Sequence, residues 1–434
     1  MLDIKFIREN PDIVKENIKK KFQDNKIALV DEIIEKDKKW RELKAEIDNL
    51  RAKRNKLSLE INSLKKQKKD IKLLLKEAKS IPDKIAELEN KTQILHNSII
   101  EIQKEIPNIM HNSVPIGKDA SENKVIKEFG NIPVFKFPVK NHVELIENLG
   151  LADFEASAEV SGKGFYYLKN ELALLNQALI RFTIDFMTKK KYEYIETPLM
   201  LNEKSIYASM SKEEIKNSVY SIKGEDLNLI GTSEQSLLAM HSGDVIKEED
   251  LPKKYFSYSM CFRKEIGSHG INEKGLWRTH QFNKIEQFIF CRPEDSYKYY
   301  NELLENSEEL YKKLKIPYQV LEMCSGDLAS WKAKSCDIEA YRPTTKKYEE
   351  VGSLSNCADY QAKRLNIKVL RKNGTKEVLH TLNNTAIATS RAMVVILENN
   401  QQKDGSIKIP NVLVNYMNGI KKIEPPLKRG GKLA

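Results

Sequence analysis

From residue 30 to residue 106 the chain contains no glycine, and its apolar residues recur at alternating spacings of four and three. One register runs Leu43, Ile47, Leu50, Arg54, Leu57, Ile61 and Leu64; a second runs Ile81, Ile85, Leu88, Thr92, Leu95, Ile99, Ile102 and Ile106. Each is a heptad seam, which a helix satisfies by laying it against another helix. A single long helix would need a second chain to cover its seam, whereas a hairpin covers both internally. The polar run Lys65, Lys66, Gln67, Lys68, Lys69 and Asp70 divides the stretch almost evenly, so we place the tip at 65–70 and take Pro82 as a kink or helix restart. Arms of about 35 residues would reach about 50 Å. A dimerising coiled coil or a solvated charged helix fits the same periodicity.

Charge is uneven along this stretch. Residues 51–69 carry Arg51, Lys53, Arg54, Lys56, Lys65, Lys66, Lys68 and Lys69 against one acid, Glu60. Over the whole chain the balance is +11, which favours a polyanionic partner. The five cysteines are odd in number and form no CxxC pair, so neither a disulfide framework nor a structural zinc is expected. No apolar run approaches the length of a membrane span, and the N-terminus lacks the apolar stretch of a signal peptide. A soluble, cytoplasmic protein is expected. Its 434 residues suggest two or three domains. Asn10-Pro11 reads as a helix start within a short helical piece at 1–26. We divide the chain into 1–106, a loop-like linker at 107–135, and a mixed α and β body at 136–434. Within the body, 171–189 carries Leu172, Leu175, Leu179, Phe182 and Phe186 at helical spacing, and 191–200 reads as a strand ending at Pro198.

The most informative segment of the body is Tyr258–Phe290, where two strand-like runs flank a polar loop. In the second run, period-2 alternation places Arg278, His280, Phe282, Lys284 and Glu286 on one face. Guanidinium, ring and carboxylate make a poor core and a good platform for an anionic, aromatic, amine-bearing ligand. A solvated hairpin with a salt bridge fits equally. Thr232, Ser233 and Glu234 read first as a helix cap. Glu350 reads as a surface acid. Arg391 falls in the first turn of a helix expected at about 388–399, after a strand ending at Asn383, where a cation calls for an anion.

FRKE followed by a loop and RTHQFNKIEQF resembles motif 2 of the class II aminoacyl-tRNA synthetases in its seryl-tRNA synthetase form. The resemblance extends from MLDIKFIRENPDIVKENI to VLVNYMNGI. It implies an α+β chain: an N-terminal antiparallel two-helix coiled-coil arm, then a class II catalytic domain built on an antiparallel β-sheet flanked by helices. It implies a homodimer through motif 1 (171–200), and a tRNA-binding arm using the eight basic residues of 51–69. The reaction implied is activation of L-serine by ATP to seryl-adenylate, then transfer to tRNA(Ser) and conceivably tRNA(Sec). A catalytically silent paralogue that binds RNA through the arm is the alternative.

The resemblance also implies roles. Thr232, Ser233, Glu234, Glu286, Asn383 and Thr385 would hold serine. Arg263, Lys264, Glu265, Thr279 and Phe282 would bind ATP, with Glu350, Val351, Gly352, Ser353 and Arg391. Arg263 would hold the α-phosphate, Arg391 the γ-phosphate, and Glu350 a Mg²⁺ on the phosphates. The loop 266–277, with Gly267, His269, Gly270, Lys274 and Gly275, would handle ATP and the tRNA acceptor end. Gly352, Ile266 and Trp277 depart from the family pattern, as do Ala386 and Ser390.

Overall fold

A computed structural model describes residues 1–266 and 274–426. It divides into two units, Met1–Ile109 and Met110–Ala434.

In the first unit, helices Ile4–Glu9 and Pro11–Lys20 precede a helical hairpin, and Pro11 opens its helix at the position where a missing N–H costs little. The hairpin helices are Ile27–Lys66 and Lys72–Glu105. The turn Gln67–Ile71 lies slightly beyond the expected tip and reverses through Lys68 at φ +56°. The two seams meet: Ile47 and Leu57 are buried with Ile81, Ile85 and Leu88, while Leu43 and Leu50 pack at their edges. Arg54 occupies a seam position yet is exposed, because its charge is better solvated than buried. Pro82 lies inside the second helix without ending it. Its ring removes one backbone hydrogen bond, and burial of Ile81 and Ile85 on either side holds the helix together. Arg51 reaches Glu89 at 2.7 Å, Lys53 reaches Glu77 at 2.5 Å and Lys84 reaches Glu46 at 3.5 Å across the hairpin. These exposed pairs set register more than stability.

In the second unit an eight-stranded sheet carries the site. Its strands in chain order are β1 Lys124–Phe129, β2 Glu193–Tyr194, β3 Lys253–Phe262, β4 Gln281–Cys291, β5 Tyr318–Glu322, β6 Lys334–Arg342, β7 Lys347–Ala358 and β8 His380–Ala388. The spatial order is β1-β5-β6-β7-β8-β4-β3-β2, antiparallel throughout except where β2 runs parallel to β3. Helices Asn170–Lys189, Ser296–Leu314 and Thr389–Asn400 contribute to one large core with it. Leu172, Leu175, Leu179, Phe182 and Phe186 all lie in that core, as their spacing requires.

Three local expectations change. The segment 107–135 is not all loop, because Lys124–Phe129 forms an edge strand on β5. Its residues are exposed, so no inward-facing apolar alternation marked it. The strand expected over 191–200 shrinks to Glu193–Tyr194, with Met200–Leu201 pairing elsewhere. The strand expected to end at Asn383 continues to Ala388, because Thr385, Ile387 and Ala388 keep pairing with β4 past an irregularity at Ala386.

Candidate active site

β4 lies between β3 and β8, and its side chains alternate between the two faces of the sheet. Phe282, Lys284 and Glu286 share the face that opens onto a cavity of about 400 Å³. From β3, the chain leaves the sheet at Phe262 and delivers Arg263 and Glu265 to the same cavity. From β7 come Glu350, Val351, Gly352 and Ser353, and from β8 Asn383 and Thr385. Thr232 and Glu234 enter from the N-terminus of helix Ser233–Ala239, and Arg391 from the first turn of helix Thr389–Asn400.

His280 does not share the cavity face as the alternation suggested. Regular pairing begins only at Gln281, so residues 278–280 escape the period-2 rule. The His280 ring instead bonds the Arg263 carbonyl at 2.9 Å and packs against Phe165. Arg278 still lines the cavity, from the segment ahead of the strand.

Most charges of the wall come in pairs. Lys284 and Glu286, both nearly closed to solvent, meet at 2.5 Å. Arg278 pairs with Glu265 at 2.6 Å, where Glu265 adopts the left-handed conformation at φ +52°. Arg391 pairs with Glu350 at 3.0 Å and donates to the Glu350 carbonyl at 2.8 Å. Arg263 donates its Nε to the Gly231 carbonyl at 3.2 Å and lies 5.3 Å over the Phe282 ring.

Two carboxylates sit at the bottom. Thr385 Oγ1 donates to Glu286 at 3.4 Å. Glu234 accepts from Gln361 at 2.8 Å and from Asn383 at 3.0 Å. Burial first, and then the neighbouring Glu286, push the Glu234 carboxyl up to about 7. Thr232 accepts from the Glu234 N–H at 3.2 Å, so it caps the helix and lines the cavity at once.

Two expected residues stand outside the cavity wall. Ser233 is buried and donates to the Ser257 carbonyl at 3.4 Å. Lys264 turns away, its ammonium 5.8 Å over the Tyr220 ring. The Thr279 hydroxyl donates to the Gln281 carbonyl at 3.0 Å. Lys274 is held by Glu147 and Glu155, each at 2.6 Å. Gly267, His269 and Gly270 lie outside the described residues.

Two of the departures, Gly352 and Trp277, and the loop glycine Gly275 have local explanations. A β-carbon on Gly352 would stand 3.3 Å from Thr385 Cβ, so glycine leaves Thr385 undisturbed. Gly275 has φ +140°, and a β-carbon there would collide with the His142 ring. Trp277 lies between two guanidiniums, with Arg342 at 4.4 Å and Arg391 at 5.4 Å from its ring. Arg342 is anchored by Glu398 at 2.8 Å and Glu349 at 2.9 Å, so the indole rests on a fixed support.

Sequence reasoning passed over Glu214, Trp331 and Lys332, which also line the cavity. Glu214 closes a capping box with Ser211, and it also accepts from the Trp331 indole at 3.3 Å. Trp331 and Lys332 belong to no recognisable motif.

Glu234 has a testable signature. Its folded value lies above that of an unfolded glutamate, so the folded protein binds the extra proton. Stability is greatest below the ordinary glutamate range and falls as pH rises through about 7. Glu234→Gln removes this loss. Denaturation midpoints should therefore favour the variant over the parent at pH 8 and converge near pH 4.5. A gap that is independent of pH would contradict the assignment.

Comparison with known proteins agrees with this architecture. The family model for the seryl-tRNA synthetase N-terminal domain matches residues 1–110, and that for the tRNA synthetase class II core domain (G, H, P, S and T) matches 218–400. A serine–tRNA ligase of Methanocella arvoryzae is 46% identical over 423 residues, covering 97% of this chain and 99% of the relative. The crystal structure of seryl-tRNA synthetase from Pyrococcus horikoshii complexed with ATP superposes with a TM-score of 0.93 at 42% identity, covering 98% of this chain and 100% of that one. The cytoplasmic enzyme of Naegleria fowleri in complex with AMP gives 0.87 at 33% identity, over 98% and 99% of the two chains. With relatives at 42–46% identity covering 97–98% of its length, the chain belongs to the seryl-tRNA synthetases, class II ligases that join serine to tRNA.

Proposed function

We propose that serine and ATP react in the cavity above β4, and that the helical hairpin receives the tRNA. The observation that carries this is the convergence of Glu234 and Glu286 at the bottom of a pocket whose rim holds Arg263 and Arg391. Such a pocket has carboxylates where an amine and a hydroxyl would sit, and guanidiniums where phosphates would sit.

In this reading Glu234, steadied by Asn383 and Gln361, takes the serine ammonium. Glu286 with Thr385 takes the serine hydroxyl. A site that hydrogen-bonds a hydroxyl rejects the analogue lacking it far better than an apolar pocket could. Phe282 provides a stacking face for adenine, with Glu265 and the Thr279 backbone beside it. Arg263 grips the α-phosphate and Arg391 the γ-phosphate, with Val351, Gly352 and Ser353 along the phosphate side. The serine carboxylate attacks the α-phosphorus and diphosphate departs with the bonding pair. No side chain serves as nucleophile, so catalysis is positioning and charge neutralisation. The seryl group then moves to the terminal ribose of tRNA.

A magnesium ion fits the phosphate side. Glu350 stands there with its side chain 46% exposed, and burial together with Glu350 pushes the Asp337 carboxyl up. Among the described residues no three His, Cys, Asp or Glu side chains group to hold a metal alone. Mg²⁺ would therefore rest on Glu350 and on ATP oxygens, neutralising phosphate charge. All eight basic residues of 51–69 are exposed on the hairpin, although Arg51 and Lys53 already have acidic partners. Contacts to phosphate and sugar suit such lysines better than base reading does. Leu174 and Met200, exposed on the helix and strand of motif 1, fit a dimer interface. No described helix is long and apolar enough to cross a membrane, and a cytosolic homodimer is the arrangement we favour. The tRNA charged is tRNA(Ser).

The deciding experiment is serine-dependent ATP–pyrophosphate exchange, with threonine and alanine as controls. Exchange without serine selectivity would refute the pocket assignment. Glu286→Ala should lower serine kcat/KM by on the order of 2–3 kcal/mol and leave the ATP KM nearly unchanged. Unaltered serine dependence in a folded variant would remove Glu286 from the pocket.

The arginines separate by step. Arg391→Lys should impair adenylate formation, yet transfer from preformed seryl-adenylate should run at close to the normal rate, because the γ-phosphate has already left. Arg263→Lys should slow both steps. Equal slowing of single-turnover transfer would mean that Arg391 is misassigned. Deleting residues 40–95 should leave a folded body that makes seryl-adenylate and charges tRNA very poorly. Loss of adenylate formation in a folded product would overturn that division of labour.

A further inference from the structure

We propose that Lys332 is a further catalytic residue of the first step, placing its ammonium on an oxyanion of the reacting pair. That oxyanion is either the serine carboxylate or a phosphate oxygen of ATP. The proposal rests on the reading of the cavity as the site of serine activation.

Most other cations of the cavity wall are already engaged, Arg263 with the Gly231 carbonyl. Arg278, Lys284 and Arg391 each hold a carboxylate of the wall at 3.0 Å or closer. Lys332 lines the same cavity, and among the described residues no carboxylate lies within 4.0 Å of its ammonium. Its nitrogen donates to two hydroxyls, Ser335 at 3.2 Å and Ser353 at 3.5 Å. The ammonium also lies 5.1 Å over the Trp331 ring; an ammonium is a compact, strongly hydrated charge with three donors, and these neutral contacts offset only part of it. In a partly buried wall this costs free energy, and an incoming anion relieves it.

Position narrows the choice of anion. Ser353 lies three residues beyond Glu350 on β7, so Lys332 stands at the phosphate end. Lys332, Glu234 and Glu350 line the one cavity, so the ammonium is available to the junction, where the carboxylate oxygen bonds to the α-phosphorus and the bond to diphosphate breaks. Lys332 transfers no proton in this step. It offsets negative charge that gathers as the two anions approach, a repulsion that neither Glu234 nor Glu286 can relieve.

The test uses the full-length enzyme. Lys332→Met keeps the length of the stem and removes the charge; Lys332→Arg keeps the charge. In ATP–pyrophosphate exchange, Lys332→Met should lose about 30-fold in kcat/KM, Lys332→Arg should recover most of it, and both should melt like the parent. If the partner is the serine carboxylate, the serine KM rises while inhibition by serinamide, which has the amine and hydroxyl without the carboxylate, stays unchanged. If the partner is a phosphate oxygen, the ATP KM or kcat changes and the serine KM does not. Exchange by Lys332→Met within about threefold of the parent overturns the proposal. So does equal weakening of serine and serinamide with unchanged ATP kinetics, which marks a distorted pocket rather than a missing charge. Absence of serine-dependent exchange in the parent would instead overturn the reading of the cavity itself.

Discussion

Lys284 and Glu286 stand two residues apart on β4 with their charges 2.5 Å apart and almost no exposure to water. Two ions so placed lose much of their hydration, and their mutual attraction must offset that loss. Replacing both with apolar side chains would give a more conventional sheet and would erase the site. The pair also fixes its surroundings. Thr385 on β8 bonds to Glu286, and the charge of Glu286 raises the proton affinity of Glu234, which in turn organises Gln361 and Asn383. Removing one member would strand the other, so these residues behave as a unit.

The parts legible in the sequence were those set by local periodicity or by chemistry on a single element. The hairpin seams were visible because each apolar residue repeats the same partner requirement every three or four positions, and Ile47, Ile81, Ile85 and Leu88 meet that requirement. Glu286 was conspicuous as a charge in an apolar strand. The edge strand Lys124–Phe129 escaped notice because its exposed residues carry no burial pattern. His280 was misplaced because alternation was extended past the point where β4 begins, a boundary set by pairing with β3. Ser233 and Lys264 fell outside the cavity because neighbours along the chain point in different directions, so a triplet need not share a site. Lys332 could not be found from sequence, since its role depends on Ser353, 21 positions away.

The catalytic unit also shows how one element can cap and bind together. Thr232 completes the first turn of its helix and still faces the cavity, because the hydroxyl that accepts from the Glu234 N–H sits at the mouth of the helix. The helix start therefore fixes the direction of the Glu234 carboxylate through the backbone. A local rule of secondary structure and a requirement of the site are met by one residue.

The ion pairs of the rim have a consequence for which anions they admit. Arg391 is already held by Glu350, and Arg278 by Glu265. A small solitary anion such as inorganic phosphate must break such a pair and leaves the displaced carboxylate unbalanced. A ligand that brings its own counter-cation could engage Arg391 while that cation settles Glu350. These two pairs thus set a threshold at their own positions, one that Arg263, on a backbone carbonyl, and Lys332, on two hydroxyls, do not share.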